Sequence, residues 1–348
     1  MLLVLFSSFK NSSVKFVEKK DKIDVIINGK YFTSYLFGGF RYNKIEGNTG
    51  VGGFDNGFVA KPVLYPVKTP SGITITRGYP LENIPGESRD HPGHLGILFA
   101  YGRVNRDVNR HSDATNEEFW DNSSDKRQIK HIKILEAKNG KSEGLLKTLN
   151  HWIGGKGKVL LEEEREMRFK TLKQGYLIDF NITLTCKDSA VVFQDNKCGL
   201  LQIRVADWMR ETVESEWMKS RVPNSTGTAT YRSSTNGKNE HGIYGKRADW
   251  VILEGNKDGQ KAGIGIFDHP ESFNHPTYWM VRSYGLFAAN PLGQGDYEQS
   301  LKIKDPKWMN LTLRNGEKVN FRYRMIIYDG EKTDSEIEMI YKEYCKGE

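Results

Sequence analysis

Cysteine is scarce in this chain, with three residues in 348: Cys186, Cys198 and Cys345. An odd count at these spacings excludes a disulfide-dense scaffold and supplies no pairwise metal motif. It leaves open one Cys186–Cys198 bridge in an oxidising compartment. Long apolar runs are missing as well. Nothing approaches the roughly 18 apolar residues that a spanning helix needs, so membrane insertion is not expected. There is no G-x-S-x-G elbow and no P-loop, and GGFDNGF lacks the strand–helix setting of a dinucleotide fingerprint. Internal repeats and low-complexity linkers are absent too. Lys plus Arg exceed Asp plus Glu by 51 − 44 = 7, but the excess is not gathered into an arm. Even YGRVNRDVNRHSD interleaves its bases with Asp, which excludes nucleic acid as a partner. The spread positive charge would suit an anionic ligand such as a uronate or a sulfated glycan.

What the chain does have is glycine (35 residues), aromatics (11%) and alternation. Ile23, Val25 and Ile27 alternate up to Asn28-Gly29, a type I′ turn signal, and KYFTSYLF returns as the partner strand. Leu311 and Leu313 lead into Asn315-Gly316, and Val319, Phe321, Tyr323 and Met325 alternate afterwards, which predicts a second hairpin. GYLIDFNITLTC places Tyr176, Ile178, Phe180, Ile182, Leu184 and Cys186 on one face. The preceding KVLLEEEREMRF puts Leu161, Glu163, Arg165, Met167 and Phe169 together as its hairpin partner. One clear helix is predicted, with Ile337, Ile340, Tyr341 and Tyr344 at helical spacing behind a Thr333/Glu336 capping box. ADWMRETVESEWMKS reads as a second helix or an irregular excursion. Residues 106–128 and 223–247 read as long loops. The fold class is all-β: a large β-supersandwich of antiparallel sheets with a short C-terminal helix. Residues 1–12 read as a signal remnant or apolar end, which points to export, and 13–348 as one sandwich domain.

Histidine placement is the most informative feature. GESRDHPGHLGILFAYGRVN holds Glu87, Arg89, Asp90, His91, His94 and Asn105. LNHWIGG holds His151 and Trp152. IFDHPESFNHPTYWMVRSYGLFAANPLG holds His269, His275, Trp279, Arg282, Tyr284 and Asn290. Segments so dense in His, Asp, Arg and aromatics, broken by Pro and Gly, have the character of site-forming loops. His91 or His275 could act as general base, with Tyr284 or Tyr278 as acid. Glu87 and Asp90 would orient the histidines or supply the acid for hydrolysis. Arg89 and Arg282 could fork a carboxylate. Trp120, Trp152 and Trp279 offer flat faces for sugar rings, and Asn105, His151, His269 and Asn290 would complete substrate binding. His91-x-x-His94 could also hold part of a divalent metal site if a third histidine joined it.

Several of these segments resemble a known family. TRGYPLENIPGESRDHPGHLGILFAYGRVN, the later Phe119-Trp120 pair, LNHWIGG, LIDFNITLTC and the stretch from FDHPESFNHPTYW to VRSYGLFAANPLG resemble the PmoA-like family of bacterial proteins, from about residue 20 to the C-terminus. The methane-oxygenase label that many members carry finds no support in a chain without a spanning segment. The resemblance implies a bacterial, exported protein found among carbohydrate-degradation functions. The chain is also distantly similar to galactose-mutarotase-like sandwiches, in which KPVLYPVKTPSG would be an early strand and loop at the sugar cleft. Such folds host epimerases, glycoside hydrolase domains and polysaccharide lyases, so the fold does not choose the reaction. Two departures stand out. Gly93 occupies a position where the family carries a further histidine, and RDVNRHSDATNEE lengthens the connection to Phe119-Trp120, bringing His111 into play. The expectation is a carbohydrate-active enzyme that cleaves an oligosaccharide by hydrolysis or elimination. The alternatives are a non-catalytic carbohydrate-binding protein and an aldose epimerase.

Overall fold

The computed structural model describes residues 13–42, 57–105, 116–121, 126–220, 222 and 226–347. Residues 1–12, most of GGFDNGF and His111 lie outside the described residues. Two eight-stranded antiparallel sheets dominate the chain. The first runs in the order Val14–Glu18, Lys22–Ile27, Lys30–Leu36, Val63–Leu64, Ile97–Tyr101, Gly199–Arg204, Leu286–Asn290, Tyr278–Val281. The second runs Gln128–Lys138, Glu143–Ile153, Val159–Leu172, Gly175–Cys186, Lys318–Asp329, Gln260–Asp268, Trp250–Lys257, Thr230–Ser233. Their inner faces share one core. Phe32 of the first sheet lies 4.7 Å from Tyr176 of the second, and Phe99 lies 5.6 Å from Phe321. The alternating residues of Gly175–Cys186 are buried as their spacing predicts. Asn28 and Gly29 take positive φ (54° and 75°), as the I′ turn requires.

The second predicted hairpin does not form. Gly316 turns the chain at φ 82°, but Leu311–Arg314 pairs with Ala190–Phe193 in a separate four-stranded sheet. Lys318–Asp329 is bonded along one edge to Gly175–Cys186. Its other edge is taken by Gln260–Asp268 from Tyr323 onward and, before that, by the 269–273 turn, whose His269 and Phe273 N–H groups donate to the Arg322 and Asn320 carbonyls. The 223–247 stretch is not simply a loop, since it carries the strand Thr230–Ser233 and the helix Asn239–Ile243. ADWMRETVESEWMKS breaks into a 3₁₀ turn at Asp207–Met209 and a single helical turn at Glu216–Lys219. Cys186 and Cys198 are both free thiols, so the bridge does not form; Cys186 Sγ instead donates to the Asp188 carbonyl at 3.4 Å.

The predicted helix is Asp334–Cys345, with both halves of its capping box in place. Its apolar stripe covers the outer face of the second sheet, where Ile337, Ile340, Tyr341 and Tyr344 bury Trp250, Ile252, Phe267 and Ile326. No helix among the described residues is long and apolar enough to cross a membrane.

Candidate active site

The segment that enters the strand Ile97–Tyr101 makes a tight turn, in which His94 N–H donates to the His91 carbonyl at 3.0 Å. His91 sits at φ 43°, a left-handed conformation that a non-glycine residue adopts only when its surroundings compel it. The surroundings here are two buried arginines. Arg77 donates through Nη2 to the carbonyls of His91 (3.0 Å) and His94 (2.8 Å), and through Nη1 to Asp90 Oδ1 (3.1 Å). Arg204, from the strand Gly199–Arg204, donates to the same Asp90 oxygen at 2.9 Å. Asp90 Oδ2 takes His91 Nδ1 at 2.6 Å. Burial would raise the Asp90 carboxyl, yet Arg204 and Arg77 hold it well below the usual carboxylate range. Asp90 is therefore a carboxylate, the His91 proton sits on Nδ1, and Nε2 carries the ring's lone pair.

Three rings lie parallel at this point. The His91 ring stacks on His94 at 4.7 Å with a 6° interplanar angle, and on Tyr284 at 5.0 Å with 4°. Arg204 lies over the Tyr284 ring at 4.8 Å and Arg282 at 5.7 Å. Burial pushes the Tyr284 phenol up while Arg282 and Arg204 pull it down, and the net shift is upward, so it keeps its proton at neutral pH. Burial pulls His91 below the ordinary imidazole range despite Asp90, so it is neutral there. His94 lies well below that range for the same first reason, burial. Its Nε2 accepts from Trp120 Nε1 at 3.0 Å. The site thus joins a neutral imidazole, a protonated phenol and two guanidiniums. Beside it, a cavity of about 600 Å³ is lined by residues including Glu211, Thr228, Asn239, Glu240 and Ser283. It borders the rings through Glu240, which pairs with Arg282 Nη1 at 3.0 Å.

Among the residues expected at a site, Asp90, His91, His94, Trp120, Arg282 and Tyr284 meet here. Glu87 is near in sequence but accepts the Gly78 N–H at 2.7 Å, and Arg89 points outward to Asn83. Asn105 is placed by its backbone opposite Val192. His275 belongs elsewhere. Its Nδ1 meets Asp268 at 2.9 Å and its Nε2 faces Asp249 at 3.4 Å. His269 is packed edge-on against Tyr344 of the C-terminal helix at 4.8 Å. His151 lies on the outer face of its strand, 3.6 Å from Glu162.

The tryptophans are not stacking platforms. Trp152 and Trp279 are fully buried, with Nε1 spent on Glu163 (2.8 Å) and the Ala248 carbonyl (2.9 Å). Trp120 is just as enclosed. Each lies on the core side of its segment, where no sugar ring can reach it. Asn290 is equally internal, bridging the Asn196 carbonyl and the Leu292 N–H. Glu163 is buried against Arg165, Asn150 and Trp152, so it is not placed to act as a second acid across a cleft. His91 and His94 do not form a chelating pair, because their rings lie parallel and two of their nitrogens are committed to Asp90 and Trp120. Among the described residues no group of three or more His, Cys, Asp or Glu is placed to hold a metal ion.

Sequence reasoning missed Arg77 and Arg204. The signal for Arg204 was available: a lone arginine within the apolar run LLQIRVA needs a buried carboxylate to meet it. Lys61, Glu118 and Asp121, which gather behind Trp120, were also missed.

A family model for DUF6807, a family of unknown function, matches residues 22–342, and the chain belongs to that family. This is a different name from the PmoA-like one that the motifs suggested. No curated protein matches the chain. Among solved structures, a family 36 α-galactosidase from Geobacillus stearothermophilus is similar over 92% of this chain and 41% of its own, at 12% identity and a TM-score of 0.40. This chain therefore spans about two fifths of that enzyme. A protein from Synechocystis is similar over 94% of this chain and 99% of its own, at 10% identity and a TM-score of 0.36. A galactose mutarotase-like protein from Clostridium acetobutylicum is similar over 91% and 95%, at 9% identity and a TM-score of 0.31.

Proposed function

We propose that this member of the DUF6807 family is a carbohydrate-active enzyme that cleaves an oligosaccharide at a uronate residue by elimination. One observation carries the reading: a neutral His91, oriented by Asp90, stacked 5.0 Å from a protonated Tyr284 that two guanidiniums flank. His91 Nε2 would take the proton α to the substrate carboxylate. Arg282, a third exposed along its side chain, would face that carboxylate and oppose its growing negative charge. The electron pair released forms the ring double bond, the bond to the leaving oxygen breaks, and the Tyr284 hydroxyl protonates that oxygen. The hydroxyl- and carboxylate-lined cavity beside Arg282 suits a ligand rich in hydroxyls. Hydrolysis by two opposed carboxylates has less support, since Glu87, Asp90 and Glu163 are each engaged by N–H donors. A purely binding role on an aromatic cleft loses its platforms with the burial of Trp152 and Trp279.

The test is turnover on neutral, uronate-containing and sulfated oligosaccharides. The expected product absorbs in the ultraviolet, its fragments sum to the parent mass, and His91→Ala and Tyr284→Phe abolish it. Fragments that gain water would replace elimination with hydrolysis. Binding without turnover on every substrate would sink the enzymatic reading.

A further inference from the structure

We propose that Lys61 is a positioning residue: it clamps the turn 118–121 from below, so that the Trp120 indole holds His94 in one tautomer and orientation beneath His91. The functional part of this inference rests on the reading of His91 as the proton acceptor.

Two motifs have so far had no role, KPVLYPVKTPSG, which begins at Lys61, and the Phe119-Trp120 pair. The fold brings them together. Lys61 is buried, and its ammonium donates to three successive carbonyls, those of Phe119 (3.0 Å), Trp120 and Asp121 (3.4 Å). An ammonium has three donors and no acceptor, so three carbonyls in a row match it fully. No described carboxylate lies within ion-pair distance of it. From the other side, Glu118 Oε1 accepts the N–H groups of Trp120 (2.6 Å) and Asp121 (3.2 Å). The backbone of this turn is thus held between a cation on its carbonyls and a carboxyl on its amides.

This arrangement is costly, which argues for a purpose. Burial drags Lys61 down to about 8, with Asp121 and Glu118 opposing, and burial lifts Glu118 to about 8, with Asp121 adding to the rise. A methionine or leucine at position 61 would fill similar space without that penalty, but it would leave three carbonyls without a donor.

The turn transmits this restraint in two ways. A Cβ at Gly93 would come within 3.0 Å of Asp121 Cα and of the Trp120 carbonyl, so the 118–121 backbone packs directly on the His91–His94 turn. The absence of a side chain at position 93 is what permits the contact. In addition, an indole N–H can only donate, so the 3.0 Å bond from Trp120 Nε1 forces His94 Nε2 to be the acceptor and places its proton on Nδ1. His94 in turn supports the His91 ring at 4.7 Å. Without the clamp, Trp120 could withdraw and His94 would be free to rotate under the base.

The experiment uses the full chain with ¹⁵N-labelled tryptophan and histidine. In Lys61→Met the Trp120 indole resonance should shift and the His94 nitrogens should report a mixture of tautomers. The indole resonances of Trp250 and Trp279 should stay in place, which certifies folding. Lys61→Arg should restore most of the native signature. With an active substrate, kcat should fall about 10²-fold in Lys61→Met with KM little changed, the cost of misplacing a catalytic group. If Lys61→Met does not fold, Trp120→Phe removes the indole donor while leaving the clamp. It should produce the same His94 mixture. An unchanged Trp120 resonance and a single His94 tautomer in Lys61→Met would overturn the proposal, as would a single tautomer in Trp120→Phe. A tautomer change in a protein that turns over no substrate would sustain the positioning role and sink the function proposed for His91.

Discussion

Among the described residues, two aspartate–histidine pairs are built from the same side chains, one buried and one partly exposed, and they differ in everything but composition. Asp90 holds His91 Nδ1 at 2.6 Å, and Asp268 holds His275 Nδ1 at 2.9 Å. Asp90 also faces Arg77 and Arg204, and its carboxyl is depressed well below the usual range against the pull of burial. Asp268 has no guanidinium among its hydrogen-bond partners. Burial raises its carboxyl, and His275 and the Thr277 N–H offset that only in part. A carboxylate beside a histidine is therefore not one device. The arginines make Asp90 a fixed negative charge that sets a tautomer, whereas Asp268 is a hydrogen-bonding group that ties down the 272–277 turn through His275 and the Thr277 N–H.

The largest expected difference between the two pairs is catalytic. On whichever substrate the panel identifies, His91→Ala should reduce kcat/KM by about 10²–10⁴-fold, the usual weight of a general base. His275→Ala should leave it nearly intact. Equal losses would erase the difference between the two pairs. Stability comes next. Asp90→Asn removes the counter-charge of two buried guanidiniums and should cost about 3–5 kcal/mol in chemical denaturation. Asp268→Asn places an amide where a carboxyl oxygen meets His275 Nδ1 and the Thr277 N–H, and should cost about 1–3 kcal/mol.

The pH dependence of those two losses should have opposite signs. A depressed Asp90 stabilises the fold above its unfolded value of about 3.9 and loses that contribution as pH falls. The Asp90→Asn penalty should therefore shrink in acid. A raised Asp268 binds its proton more tightly in the folded state, so its contribution declines as pH rises through its folded value. The Asp268→Asn penalty should be larger in acid than at neutrality. Denaturation midpoints for both variants from pH 3 to 7 decide this, and parallel trends would be fatal to it. The lowered pKa of His91 also places the acid limb of kcat/KM below the ordinary imidazole value of about 6.5. The smallest effect concerns aromatics. Trp152→Phe should cost about 1–3 kcal/mol by leaving Glu163 short of a donor, with KM for the sugar unchanged.

How much of this was legible in the sequence depended on what each residue faces. Gly175–Cys186 alternates because one face meets the core and the other is less covered, and the spacing of its apolar residues says so. Lys318–Asp329 alternates only at first and then becomes continuously buried from Tyr323 to Tyr328, where the C-terminal helix covers its second face. No local pattern reveals that a helix far along the chain is the cause. The site divides in the same way. Asp90, His91 and His94 were readable because a turn collects them within five residues. The separation of His275 from His91 was not, because sheet order decides it, and neither was the burial of Trp152 and Trp279. Tryptophan in a histidine-rich segment looks the same whether its indole N–H meets a ligand, a carboxylate or a carbonyl.

The helix Asp334–Cys345 also bears on how the chain is made. It is translated after every strand it covers, so Trp250, Ile252, Phe267 and Ile326 leave the ribosome with no partner for their outer face. Until the helix docks, the growing chain presents a flat, apolar, hydrogen-bonded surface of the kind that chaperones retain and that nucleates aggregation. Synthesis that stalls before residue 334 should yield a chain whose sandwich interior is complete and which is nonetheless insoluble.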